Sequence, residues 1–195
     1  MVALLAAATV SEAASARKVL ILGDSLSAAY GIERQQGWVA LLDQELGEEI
    51  ALINASVSGE TTAGGRQRLP ALLSTHQPEV VVIELGGNDG LRGYPLASIR
   101  KTLAELITLS QANGAGVLLV GMQIPPNYGQ RYSSGFAAIY PTLAQEYSVA
   151  LLPFLLDGIA GRPELMQDDR IHPNASAQAT MAEAVKQALQ PLLEP

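Results

Sequence analysis

A serine and an acid–histidine pair are the residues of this sequence best suited to nucleophilic catalysis. Ser25 lies in the stretch ILGDSLSAAYG, where an apolar run ends in a glycine and an acid. Asp169 precedes His172 by three residues near the C-terminus. That spacing lets the carboxylate accept a hydrogen bond from Nδ1–H and leaves Nε2 free to take a proton from a serine hydroxyl. Together these residue types predict a catalytic triad.

Each of these residues also has an ordinary structural explanation. Taken alone, Ser25 is better explained as a turn or helix-capping serine, and His172 as an exposed loop histidine. The motif around Ser25 lacks the second glycine of G-x-S-x-G, the nucleophile turn of the α/β-hydrolases. A P-loop is excluded because no G-x-x-x-x-G-K-[ST] occurs. The catalytic interpretation therefore depends on further residues at the same place.

Two more residues supply what such a site needs. Gly59, in SVSGETT, lets a backbone N–H approach a developing oxyanion without a Cβ in the way. Asn88, in GGND, offers a side-chain amide as another donor, and the backbone N–H of Ser25 offers a third. Considered singly, Gly59 is a loop glycine and Asn88 a turn residue. Together they predict an oxyanion hole formed by Ser25, Gly59 and Asn88.

Five short apolar runs predict the strands that position these residues. The runs are rich in Val, Ile and Leu and mostly lack polar alternation, as expected for parallel strands covered on both faces. They span residues 18–22, 50–53, 80–85, 117–121 and 149–152. Ser25, Gly59 and Asn88 each follow one of the first three runs, so they are expected at the carboxyl edge of the sheet. His76 precedes the third run and is expected at the opposite edge, in a structural or exposed position.

Apolar residues at helical spacing lie between the strands. One helix is predicted over residues 99–110, with Gly114 at its end. A second pattern, residues 136–147, contains Pro141, which predicts a kink or a late start. The last helix spans about 174–190, with Asn174 as its cap. The alternation of strands and helices predicts an α/β protein, a flavodoxin-like three-layer α/β/α sandwich with a five-stranded parallel sheet.

Length and composition exclude several classes of function. A chain of 195 residues suits one domain with a sizeable core. The net charge of -7 leaves no basic stripe for a nucleic-acid partner. Because the chain has no cysteine and only two histidines, neither a disulfide nor a thiolate or multi-histidine metal site is expected.

The first sixteen residues, MVALLAAATVSEAASA, have features of a secretory signal peptide. They are small and apolar, and Ala14-Ser15-Ala16 fits the small-x-small pattern of a cleavage site. No Lys or Arg precedes the apolar run, although a signal peptide normally has one. The run is too short to span a bilayer, so no stable membrane insertion is expected. We predict removal of residues 1–16, a single domain over residues 17–195, and a periplasmic or secreted location.

Four segments of the chain carry a family resemblance. GDSLS at 23–27, SVSGETT at 56–62, GGND at 86–89 and DDRIHPN at 168–174 resemble the four blocks of the SGNH, or GDSL, hydrolases. The resemblance extends from Lys18 to Leu193. Three further segments, QIPPNYG, FAAIYPTLA and MQDDRIHPN, resemble the bacterial periplasmic members that act as thioesterase, lysophospholipase and arylesterase.

The resemblance implies a serine hydrolase. It makes Ser25 the nucleophile, His172 the general base and Asp169 the acid that orients the histidine, with Ser25, Gly59 and Asn88 in the oxyanion hole. It implies fatty acyl thioesters such as acyl-CoA, lysophospholipids and short aryl esters as substrates. Acyl transfer by such a triad needs no metal and no cofactor, and we expect a monomer.

Three residues beside the triad belong to the same motifs. Asp24 and Asp168 are expected to have structural hydrogen-bonding roles. Arg170 departs from the pattern, because the related sequences have a small residue at this position.

Substrate binding is predicted less sharply than catalysis. Apolar residues after the third and fourth strands predict a groove for an acyl chain, with ordinary loop packing as the alternative: Leu91, Tyr94, Pro95, Ile124, Pro125, Pro126 and Tyr128. Two other functions stay open. One is a carbohydrate acetylesterase of the same family. The other is a non-catalytic flavodoxin-like module that binds phosphate or flavin, which would not need the acid-x-x-histidine block.

Overall fold

Five parallel strands form the central sheet. The computed structural model describes residues 16–194. The strands are β1 (Arg17–Gly23), β2 (Ile50–Asn54), β3 (Val80–Glu84), β4 (Gly116–Val120) and β5 (Ala150–Leu152), in the order β2-β1-β3-β4-β5. Each lies within one residue of a predicted run. These strands confirm the predicted five-stranded parallel sheet, and the helices on its two faces, described next, complete the predicted three-layer sandwich.

Helices cover both faces of the sheet. One face packs against α1 (Trp38–Leu46) and α6 (Gln178–Leu193). The other packs against α2 (Thr62–His76), α4 (Leu96–Ala112) and α5 (Gln130–Tyr147). A short helix, α3 (Gly87–Leu91), follows β3 directly. No helix among residues 16–194 has the length and apolar character needed to cross a bilayer.

The apolar strands supply two cores at once. In β1, Leu20 and Leu22 belong to the core under α2, α4 and α5, whereas Val19 and Ile21 belong to the core under α1 and α6. All four side chains are fully buried. Successive strand residues point to opposite faces, so a strand buried on both faces must be apolar at every position.

The helix boundaries differ from the predictions at three places. The helix that contains Pro141 begins at Gln130, so the late start is wrong. Asn174 does cap, through its side-chain oxygen and the N–H of Ser176, but it caps a 3-10 turn (Ala175–Ala177) that precedes α6. The GGND segment forms the first turn of α3 rather than an open loop.

The strand order places a crevice beside β1. The chain moves outward from β1 to β2 on one side and from β3 to β5 on the other, and such a reversal point is where parallel sheets of this kind bind ligands. The loops that follow β1 and β3 flank the crevice. His76, the last residue of α2, lies ahead of β3 at the opposite edge, as predicted. Residues 1–15 of the predicted signal peptide lie outside the described residues.

Candidate active site

The turn after β1 holds Ser25 above the sheet. Its N–H groups bond back along the chain, from Ala28 to the carbonyl of Asp24 and from Tyr30 to that of Ser25. The residue before the turn, Gly23, has no room for a side chain, because a Cβ there would lie 2.6 Å from Glu84 Oε2 and 2.7 Å from the Ser27 hydroxyl. Glycine at position 23 therefore lets the end of β1 lie close to Glu84 and to the Ser27 side chain of the turn.

Ser25, His172 and Asp169 form one hydrogen-bonded chain. His172 Nε2 lies 2.9 Å from Ser25 Oγ, and Nδ1 lies 2.6 Å from Asp169 Oδ2. The other carboxylate oxygen, Oδ1, accepts the backbone N–H groups of Ile171 (2.9 Å) and His172 (3.0 Å). The structure therefore brings together the three residues that the sequence predicts as a triad.

The surroundings of Asp169 keep its carboxylate ionised. Burial acts to raise its pKa, but the backbone N–H groups and the His172 ring outweigh it and lower the pKa to about 2. An ionised acid at Nδ1 requires a proton on that nitrogen, which leaves Nε2 as the acceptor that faces Ser25.

A long connection after β5 carries the histidine to Ser25. Its turn is closed by the bond from Gln167 N–H to the His172 carbonyl (2.8 Å), with Arg170 in a left-handed conformation (φ 57°) between them. The Gln167 side chain donates to the carbonyl of Tyr30 at 2.8 Å, which ties this connection to the serine turn. The Tyr30 ring packs against the imidazole, with 4.4 Å between ring centroids.

The three predicted oxyanion donors follow β1, β2 and β3 and therefore lie at the carboxyl edge of the sheet. Asn88 Nδ2 donates one hydrogen to Asp24 Oδ2 at 3.0 Å, and its second hydrogen remains available. Gly59 has φ 80°, and its carbonyl accepts a bond from Arg92 at 3.2 Å. Within residues 16–194, the N–H groups of Ser25 and Gly59 donate to no protein atom.

Two buried acids lie beneath the serine turn. Asp24 is 3% exposed and Glu84 fully buried. Burial raises the pKa of Asp24 to about 6, and burial together with the Asp24 charge raises that of Glu84 well above its usual range. Glu84 Oε2 accepts the N–H of Asp24 (3.1 Å) and the hydroxyl of Ser27 (2.6 Å). Asp24 has the structural hydrogen-bonding role that the sequence predicted.

A strap of residues 90–95 borders the site. Tyr128 donates to the carbonyl of Leu91 at 2.9 Å, and Tyr132 donates to that of Tyr94 at 2.6 Å. Of the residues predicted for the acyl groove, Tyr94 and Tyr128 are exposed, whereas Ile124 lies in the core with 7% exposure. An open cleft of about 600 Å³ lies beside Tyr128 and Tyr132.

Several residues at this edge were not singled out from sequence. Glu84 was visible as one charge at the end of an otherwise apolar run, VVVIEL. Tyr30 and Gln167 carry no such signal, because their roles depend on a contact between segments far apart in the chain. Asp168, expected to form structural hydrogen bonds, is exposed and makes none with the described residues through its side chain.

Comparisons with known proteins identify the family of this chain. A model of the GDSL-like Lipase/Acylhydrolase family matches residues 21–180. The chain is 48% identical to Esterase TesA of Pseudomonas aeruginosa over 97% of its length and 96% of that protein. It is 47% identical to Thioesterase 1/protease 1/lysophospholipase L1 of Escherichia coli K12 over 93% of its length and 88% of that protein.

Solved structures give the same result. A crystal structure of TesA has 49% sequence identity and a TM-score of 0.88, and covers 91% of this chain and 100% of that one. The psychrotrophic esterase EstA from Pseudoalteromonas sp., inhibited by monoethylphosphonate, has 43% identity and a TM-score of 0.86, over 91% of this chain and 98% of that one. The chain belongs to the GDSL-like lipase/acylhydrolase family, as its sequence motifs predicted.

Proposed function

We propose that this protein hydrolyses carboxylic esters and thioesters through an acyl-enzyme formed on Ser25. The observation that carries the proposal is the contact of His172 Nε2 with Ser25 Oγ at 2.9 Å, with Asp169 at the other ring nitrogen. Its relatives are named esterase, thioesterase, lysophospholipase and arylesterase, which supports the same reaction class. A phosphate- or flavin-binding module would have no use for this arrangement.

The first step is attack on the acyl carbonyl. His172 Nε2 takes the Ser25 proton while Oγ bonds to the carbonyl carbon, and the π electrons move to the carbonyl oxygen. The oxyanion accepts bonds from the N–H groups of Ser25 and Gly59 and from the free amide hydrogen of Asn88. Asp169, with its pKa lowered to about 2, stabilises the imidazolium that forms.

The second step releases the two products in turn. The imidazolium gives its proton to the leaving alcohol or thiol as the carbon–oxygen or carbon–sulfur bond breaks. Water then enters, loses a proton to His172 and attacks the acyl-enzyme carbonyl. Collapse of that intermediate returns the proton to Ser25 and frees the carboxylic acid. Every step uses the residues named and needs no cofactor.

The border of the site supports a substrate with an acyl chain. Tyr94, Tyr128 and Leu91 form an apolar border on the strap side, which suits an acyl chain. We infer acyl-CoA, lysophospholipids and aryl esters as substrates, and a monomer as the active form. Ile124 lies in the core next to Gly90 of the strap, not at the surface.

A hydrolysis panel tests this function. The purified protein should hydrolyse p-nitrophenyl esters of several chain lengths, an acyl-CoA and lysophosphatidylcholine, and Ser25→Ala should hydrolyse none of them. Ser74→Ala, an exposed serine near the end of α2, is the matched control. Activity confined to acetylated carbohydrates would instead favour the carbohydrate acetylesterase, and full activity in Ser25→Ala would refute the proposed nucleophile.

We also propose export, followed by cleavage after Ala16. Arg17 is the first residue of β1, where its guanidinium bonds Glu79 at 2.9 Å and the Leu193 carbonyl. Cleavage at this point would therefore leave every described strand complete. Mass spectrometry of protein recovered from a bacterial periplasm should give a chain that begins at Arg17. An uncleaved chain confined to the cytoplasm would contradict this proposal.

A further inference from the structure

The carboxyl group of Glu84 has no part in the acyl-transfer steps, yet it contacts the turn on both sides of the proposed nucleophile. Glu84 ends β3 opposite Gly23 of β1 in the sheet register. Its Oε2 accepts the N–H of Asp24 and the hydroxyl of Ser27, the residues one before and two after Ser25. One side chain therefore fixes the backbone turn that carries the serine.

The second oxygen of the same carboxyl group has no donor. Glu84 Oε1 is buried, and no hydrogen-bond donor of the described residues reaches it. None of the ion pairs among residues 16–194 includes Glu84. A buried carboxylate that lacks both a cation and a donor on one oxygen is strongly disfavoured, whereas a carboxylic acid is not.

Asp24 links Glu84 to the oxyanion hole. Glu84 Oε2 accepts the backbone N–H of Asp24 at 3.1 Å, and besides burial the negative charge of Asp24 favours the protonated form of Glu84. Asp24 Oδ2 in turn accepts the Asn88 amide at 3.0 Å, and Oδ1 accepts the N–H of Leu26 at 3.1 Å. A proton held on Glu84 would leave Asp24 as the anion that orients Asn88.

We propose that Glu84 is a positioning residue that works as a neutral carboxylic acid, holding the Ser25 turn through one oxygen and leaving Asp24 as the anion that aims the Asn88 amide. The proposal rests on the function inferred for Ser25 and Asn88 and adds a residue that touches neither substrate nor reacting atoms. Burial raises the pKa of Glu84 well above its usual range, in agreement with a neutral side chain.

Two substitutions separate this role from simple packing. Glu84→Gln keeps a carbonyl oxygen for the Asp24 N–H and the Ser27 hydroxyl, and it is neutral, as the carboxylic acid is. It should keep kcat within about threefold of wild type. Glu84→Met keeps the volume but accepts no hydrogen bond, so kcat should fall about tenfold or more while KM changes by less than about threefold.

A neighbouring variant controls for loss of stability. Tyr140→Phe removes a buried hydroxyl that donates to the carbonyl of Leu85, the residue after Glu84, at 3.0 Å. It should lower the melting temperature without lowering kcat. A folded Glu84→Met with wild-type kcat would show that Glu84 has only a packing role. A Glu84→Gln variant as impaired as Glu84→Met would show that the negative charge is needed. Either result overturns the proposal.

Infrared spectroscopy tests the protonation state without relying on the Met variant. The difference spectrum of wild type minus Glu84→Gln at neutral pH should contain the carbonyl band of a protonated carboxylic acid. Carboxylate bands in its place would overturn the neutral acid. An inactive wild type would instead refute the proposed hydrolase function, so the two failures are distinguishable.

Discussion

At the scale of single residues, the proposed reaction depends on donors and acids held in fixed directions. One hydrogen of the Asn88 amide is committed to Asp24, which leaves the other for the substrate oxygen. Asp24 itself is 3% exposed, so the acceptor that orients Asn88 is a buried acid. Substitution of Asn88 and substitution of Asp24 should therefore have different effects.

Removal of the Asn88 amide should slow turnover more than it weakens binding. Asn88→Ala is expected to lower kcat by about 10²–10³-fold, the usual effect of losing one oxyanion donor, with a smaller change in KM. Steady-state kinetics on a p-nitrophenyl ester measures both constants, with Asn113→Ala, an exposed asparagine at the end of α4, as the control. An unchanged kcat would leave Asn88 with only a structural role.

Substitution of Asp24 should separate stability from activity. Burial raises the pKa of Asp24 to about 6 from 3.8, so the folded protein binds this proton more tightly than the unfolded chain does. Ionisation of Asp24 therefore lowers the free energy of unfolding as the pH rises from 3.8 to about 6. Above about pH 6 this loss of stability is complete. Asp24→Asn should be more stable than wild type by about 1–3 kcal/mol near pH 8, and by much less near pH 4.

The same variant should lose activity, since an asparagine at position 24 cannot offer Asn88 a carboxylate oxygen. We expect kcat to fall by about tenfold. Urea unfolding at the two pH values, together with kcat, checks both statements. Equal stabilisation at both pH values would show that the Asp24 charge is not the cause.

At the scale of elements, the strap of residues 90–95 is held by side chains from its neighbours. Tyr128 and Tyr132, from the segment that begins α5, donate to strap carbonyls, and Arg92 of the strap reaches the Gly59 carbonyl. The strap contains Gly90 and Gly93, and glycine broadens the conformations that its backbone can reach. The strap is therefore joined to the loop that contains Gly59 by the Arg92 hydrogen bond, which a moving strap would have to exchange.

Binding of an acyl chain should slow hydrogen exchange in this segment. We expect the peptide of residues 86–95 to gain protection when palmitate is added, because the chain would pack beneath Leu91 and Tyr94. Exchange of a peptide from α6 serves as an internal control. Equal protection of the strap with and without palmitate would contradict a cover that closes on the substrate.

The elements also show which parts of the fold are readable from sequence. The strands were predicted within one residue because burial on both faces requires continuous apolar runs. The predicted helix over residues 99–110 contains every buried residue of α4, because these residues keep helical spacing: Ile99, Leu103, Leu106, Ile107 and Ser110. Helix α3 is not predicted because it spans only five residues, two of them glycines, and Asp89 within it is held by bonds from the N–H and hydroxyl of the distant Thr62.

At the scale of the whole molecule, the fold joins residues that are far apart in the chain. Ser25 and His172 are separated by 147 positions and meet because β1 and the connection after β5 end at the same edge. The sequence predicts that Ser25, Gly59 and Asn88 meet there, because each follows a strand and parallel strands share a carboxyl edge. They did not predict Glu84 beneath the turn or Tyr30 against the imidazole, because neither contact has a local pattern.

The most direct test of the central claim compares the two histidines. His172→Ala should lower kcat/KM for a p-nitrophenyl ester by at least about 10³-fold, because nucleophile and base act as one unit. His76→Ala, at the opposite edge of the sheet, should stay within about twofold of wild type. Both variants should remain folded by circular dichroism. Wild-type turnover in His172→Ala, or its loss in a folded His76→Ala, would contradict the account.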